Sequence, residues 1–139
     1  MTTNLRDVIQ TRVTGYTGST GDQGPAGDPF GGGSFTGGVT FTAVNETITA
    51  MGNQTGTPTI DASAGTIHSL TLTGNVTISS ISNMTAGSNI TLILTQDGTG
   101  GRTLTSTMKF AGGSKTLSTA AGAIDIISIF YDGTNYFAA

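Results

Sequence analysis

Five glycines recur at strict three-residue spacing near the start of the chain: Gly15, Gly18, Gly21, Gly24 and Gly27. No glycine between the first and the last falls out of phase. This is a Gly-X-Y pattern, and it constrains folding severely. Three polyproline-type strands wind together, and only glycine fits where each strand meets the common axis. A lone chain gains nothing from the spacing, so it predicts a homotrimer with these five glycines on the triple-helix axis.

The remainder divides around that segment. Residues 1–14 are polar, with Leu5, Val8, Ile9 and Val13 as apolar points whose spacing suits one face of a short helix. They are expected to anchor the chain by ordering against a partner. Residues 15–29 form the collagen-like stalk, which at about 3.1 Å per residue would reach roughly 45 Å. With five triplets and little proline it is too short to hold three chains alone and needs a trimeric domain beside it. Residues 30–34, Phe30-Gly-Gly-Gly-Ser34, break the triplet phase and read as a hinge.

Residues 35–139 are expected to form an all-β head, a small antiparallel sandwich or barrel. Ile90, Leu92 and Leu94 alternate with Thr91 and Thr95. The segments 69–73 and 75–79 alternate likewise on either side of Gly74, and Val39 with Phe41 makes an earlier pair. Further strands are expected at 102–105, at 108–110 and at 123–131, the most apolar stretch. Asp132-Gly-Thr-Asn135 turns the chain into a closing hairpin at Tyr136 and Phe137. Turn signals at intervals of about 8–12 residues give the rhythm of a sandwich or barrel. Such a head has a modest apolar core, a shortage that burial between three copies would relieve.

The chain carries little reactive chemistry. It has no cysteine, so neither a disulfide framework nor a thiolate metal site can form. Charged residues are 9% of 139, and the net charge of −3 has no basic cluster, which argues against nucleic-acid binding. No run approaches the ~18 apolar residues of a membrane-spanning helix. The first ten residues lack the apolar core of a secretory leader, so synthesis in a bacterial cytoplasm and release by lysis are expected. His68 is the only histidine and Glu46 the only glutamate. Asp97 and Asp132 lie in turn sequences, where aspartate serves local hydrogen bonds. They offer too few oxygens for a Ca²⁺ cage. Asp125, within the most apolar strand, is expected to face outward, or else to form an axial ring or pair with Arg102 or Lys109. The Asn-X-Thr triplets at Asn45, Asn53, Asn75, Asn83 and Asn89 follow from a composition rich in both residues. No catalytic, metal or cofactor site is expected.

Two features together resemble a known family. The wording Gly-Tyr-Thr-Gly-Ser-Thr-Gly from Gly15 is similar to that of structural proteins of marine tailed bacteriophages, including cyanophages. The stretches at 70–77, 91–103 and 117–125 resemble a β-domain of the same proteins, where it ends fibre-like or decoration-like virion components. The likeness covers 66–139 well and 13–29 loosely. Tryptophans common in the later strands of such modules are absent, with Met108-Lys-Phe110 at one such place. The resemblance implies a role on the virion surface and transfers no catalytic residue.

Three functions follow as expectations. The first is a non-enzymatic structural protein, a short trimeric fibre or projection held to capsid or tail proteins through residues 1–14. A capsid-stabilising decoration is a variant of it. The second is a receptor-binding module gripping a host-surface glycan, with Tyr131 and Tyr136 as sugar contacts and Phe137 beside them. The third, ice binding by Thr-X-Thr ladders on a β-solenoid, lacks support because the pairs have no constant spacing.

Overall fold

The computed structural model describes residues 40–113 and 115–139. The chain divides into two units, Met1–Thr42 and Ala43–Ala139. The expected anchor, stalk and hinge lie outside the described residues. The second unit carries seven strands in one sheet: β1 (Ile48–Gly56), β2 (Ile67–Thr77), β3 (Asn89–Gln96), β4 (Leu104–Thr105), β5 (Lys109–Phe110), β6 (Ile124–Tyr131) and β7 (Tyr136–Ala138). The order is β1-β2-β3-β6-β7-β5, with β4 beside the end of β2. The only helical element among the described residues is a 3-10 turn, Ala62–Ala64.

The all-β expectation holds, but the antiparallel one is corrected. β1 with β2, β2 with β3, β2 with β4 and β5 with β7 all pair parallel, and only β3 with β6 and β6 with β7 are antiparallel. Parallel neighbours need a crossover, usually a helix. Here residues 57–66 and 78–88 serve instead. They run back and bond to each other, the Ser82 amide donating to the Ile60 carbonyl at 2.8 Å and the Ala62 amide to the Ser82 carbonyl at 2.9 Å. Each strand and its return thus make one rung of a short coil. The register offset is 19 residues from β1 to β2 (Ile48 to Ile67), and on the other side of β2 it is 24 to β3 (Ile67 to Thr91) and 28 to β4 (Val76 to Leu104). A drifting offset of this kind leaves no constant period in the sequence.

The core lies between the sheet and the returning segments. Leu70, Leu72, Leu92, Leu94, Ile127 and Ile129 point inward from β2, β3 and β6. Ile60, Ile78, Ile81, Met108 and Leu117 close over them from the connections. Fully burying one such side chain stabilises by about 1.5–3 kcal/mol. The two expected strands around Gly74 are one continuous β2. Gly74 makes no turn; it is small because a Cβ there would run into the Thr55 hydroxyl of β1. The closing hairpin is as expected, with Tyr131 paired to Tyr136 across the Asp132 turn.

Candidate functional site

Three of the described aspartates, Asp61, Asp97 and Asp132, are occupied in holding turns. Asp61 accepts from the Ser63 amide at 2.9 Å, the Ser63 hydroxyl at 2.6 Å and the Asn83 amide group at 2.8 Å. The hydrogen bond from the Ser63 side chain, then that from Asn83, draws its pKa below the ordinary value. Asp97 takes the amides of Thr99 and Gly100 on one oxygen, and Arg102 Nη2 on the other at 2.7 Å. The Arg102 hydrogen bond is the main reason its pKa is lowered. Asp132 accepts from the amides of Asn135 and Thr134 at 2.6 and 2.7 Å, and the Asn135 amide leads in lowering its pKa.

Asp125 is a correction. It pairs across from the buried Leu94, so it lies on the covered face, and its carboxylate takes the Ser118 amide at 2.8 Å. Arg102 is engaged with Asp97 instead. The other Asp125 oxygen accepts from the Ser118 hydroxyl at 3.3 Å. No group of three metal-ligating side chains comes together among the described residues.

Two buried polar side chains serve the fold. His68, 1% exposed, donates from Nε2 to the Gly65 carbonyl at 2.9 Å, and its Nδ1 has no partner. Gln96 clamps two loops to the end of β3. Its Nε2 donates to the carbonyls of Arg102 and Ser118, each at 2.9 Å, and its Oε1 accepts the Arg102 amide at 2.8 Å. Two surface depressions, about 170 Å³ beside Arg102 and Lys115 and about 150 Å³ beside Pro58 and Ser80, are smaller than ordinary ligand pockets.

Tyr131 and Tyr136 stack on each other with ring centroids 4.5 Å apart. Both are half-buried, and both hydroxyls donate within the chain, to the Gly133 carbonyl at 2.9 Å and the Ile81 carbonyl at 3.1 Å. Two exposed aromatics of the sheet, Phe130 and Phe137, tilt against each other at 6.3 Å, with Lys109 Nζ 5.5 Å from the Phe137 ring. They belong to the outward face of the sheet. Ladder register puts Ser69, Ile93 and Ile126 in one row of that face, with Thr95 and Ile124 in the next. Ile124 and Ile126 are 59% and 63% exposed. The axis glycines Gly15, Gly18, Gly21, Gly24 and Gly27, and the anchor residues Leu5, Val8, Ile9 and Val13, lie outside the described residues.

The described residues thus combine a sheet of short rungs, turns fixed by aspartate and an apolar outer face. Residues 52–136 match the family described as "Putative phage tail fibre C-terminal domain". The chain belongs to this tail fibre family. The matched stretch begins at the β1 bulge and ends in β7, so it takes in β2 to β6 entire. No curated protein and no solved structure matches the chain. Membership in the tail fibre family makes the protein a virion-associated component of a phage.

Sequence reasoning did not single out Gln96 or the outward face as functional. For the face a signal was present: residues 124–130 are apolar on both alternating sets, Ile124, Ile126 and Phe130 as well as Ile127 and Ile129. A strand apolar on both sides reads as covered on both sides.

Proposed function

We propose that the chain is a non-enzymatic structural subunit of a phage tail fibre, acting as a homotrimer. Residues 1–14 attach it to other virion proteins, residues 15–29 wind into a short triple helix, and the β head stands at the far end, on the particle surface. The family match across the head carries this reading. The Gly-X-Y register supports three chains on one axis. The turn-bound aspartates support a structural rather than catalytic role. The match favours a tail fibre over a capsid decoration. The Gly-Tyr-Thr-Gly-Ser-Thr-Gly wording supports a marine, cyanophage-like source. Engagement of both tyrosine hydroxyls within the head weighs against Tyr131 and Tyr136 as glycan contacts.

The test is the mass of the full chain by light scattering, together with electron microscopy of particles bearing a label on the head. Three chains per molecule and label on the tail are expected. A stable monomer would end the trimeric reading, and label over the capsid shell would end the tail placement. Replacing Gly21 with a bulky residue should damage the stalk and leave the head trimeric.

A further inference from the structure

The outward face of the sheet carries a patch of exposed large apolar side chains. Along β6 it presents Ile124, Ile126 and Phe130, flanked by Ile93 of β3 and Phe137 of β7. Together these leave on the order of a few hundred Å² of apolar surface open, the scale at which exposed patches mark interaction sites. No outward position of β2, β3 or β6 is charged. Asp125, the one charge in β6, sits on the covered side, and Lys109 stands at the rim over Phe137.

We propose that this face is where the head meets two further copies of itself, with Ile126 and Ile93 toward the threefold axis. The inference rests on the trimeric reading above and adds the location of the interface. Three observations choose the occupant. First, the Gly-X-Y segment, residues 15–29, lies upstream of the head in sequence, and a triple helix holds three chains parallel and in register. Three identical heads are thereby kept at high local concentration. Second, a side chain on a threefold axis meets its own two copies, so a charge there would face two like charges. The outward positions of β2, β3 and β6 are uncharged, which suits that constraint, and Lys109 stands off the axis at the rim. Third, β6 is apolar on both sides, and among the described residues only one of those sides is covered.

The chain has no cysteine, so one introduced thiol is an unambiguous reporter. Ile126→Cys places it on the proposed interface. Ser80→Cys places it at an exposed position on the returning segment that covers the opposite side of the sheet. Both are made in the full chain, and alkylation by iodoacetamide is timed against the same proteins in urea. The inference expects three chains by light scattering for both variants. It expects the thiol of Ile126→Cys to alkylate at least tenfold more slowly than that of Ser80→Cys, and the two rates to be equal in urea. Within a lone head Ile126 is 63% exposed, so slow reaction there requires a neighbour. The pair Ile124→Thr with Ile126→Thr keeps β-branching and should lower the mass to one chain with the β circular dichroism retained. A trimer in which the Ile126→Cys thiol reacts as fast as the Ser80→Cys thiol overturns the inference and leaves the trimeric reading standing. A wild-type monomer overturns both.

Discussion

Replacing Gln96 with leucine tests how the head is closed at the end of its sheet. Leucine fills nearly the same volume and is more apolar, so burial alone would favour it. Gln96 is 2% exposed and makes three side-chain hydrogen bonds, two to carbonyls and one from an amide. Leucine satisfies none, and a buried group left without a partner costs about 1–3 kcal/mol. Partial relaxation and the gain in apolar burial, about 0.8 kcal/mol per CH₂-sized group, offset part of that sum. The expected net loss is about 2–4 kcal/mol, a large share of the 5–15 kcal/mol typical of a domain. Urea unfolding followed by circular dichroism, at matched protein concentration, reads it as a lower midpoint with an unchanged slope. Gln96→Glu separates the clamp from generic disruption. A carboxylate can take the Arg102 amide but repels the carbonyls of Arg102 and Ser118, so its burial there raises its pKa. Its deficit relative to wild type should shrink as the pH falls and the protonated acid regains a donor. A loss below about 1 kcal/mol for Gln96→Leu, or a glutamate deficit independent of pH, would show that Gln96 does not hold these loops.

Two further outcomes follow from the same loops. The pKa values of Asp61, Asp97 and Asp132 are lowered in the folded head, so it binds fewer protons there than the unfolded chain does. The stability they contribute is complete above the unfolded carboxylate pKa of about 3.9 and drains away as pH falls through the lower folded values. Melting temperature should hold steady from neutrality to about pH 5 and drop below about pH 4, with a shallower drop in Asp97→Asn; an unchanged slope in that variant contradicts the assignment. Gly100→Ala should cost about 2–4 kcal/mol, because its φ is +72° and a Cβ would lie 2.5 Å from the Thr119 carbonyl oxygen. A loss under about 1 kcal/mol in urea unfolding would mean that the 119–121 segment gives way easily.

The strands were legible wherever alternation was clean. Ile90, Leu92 and Leu94 announce β3, and Asp132-Gly-Thr-Asn135 announces the closing hairpin, because both depend on neighbours in sequence. Pairing direction was not legible. Alternation fixes which side of a strand is buried, and it is the same for parallel and antiparallel neighbours. The parallel arrangement depends on Ile60 and Ile81 reaching back from the connections, positions that look like loop in isolation. Gly74 was misleading for a related reason. Glycine between two alternating segments signals a turn, whereas here it makes room for Thr55 of the neighbouring rung, a contact 19 residues away in the chain. The Gln96 clamp left no trace because a polar residue ending a strand is ordinary.

The scarcity of charge carries one more consequence. The single salt bridge among the described residues joins Arg102 to Asp97, and both side chains are partly open to solvent. Surface pairs of this kind are screened by salt, with a Debye length of about 10 Å at 0.1 M and about 3 Å at 1 M. The remaining stabilisation comes from apolar burial, the sheet ladders and aspartates bonded to nearby amides, none of which relies on distant opposite charges. The outward positions of β2, β3 and β6 carry no charge and so add no ionic contact at the proposed axis, and assembly there should bring little salt dependence of its own. The melting temperature of the trimer should therefore move by less than about 3 °C between 0.05 and 0.5 M sodium chloride, measured at one protein concentration. A fall of more than about 5 °C would point to an ionic interface. The copies would then have to meet through some surface other than the one bearing Ile126.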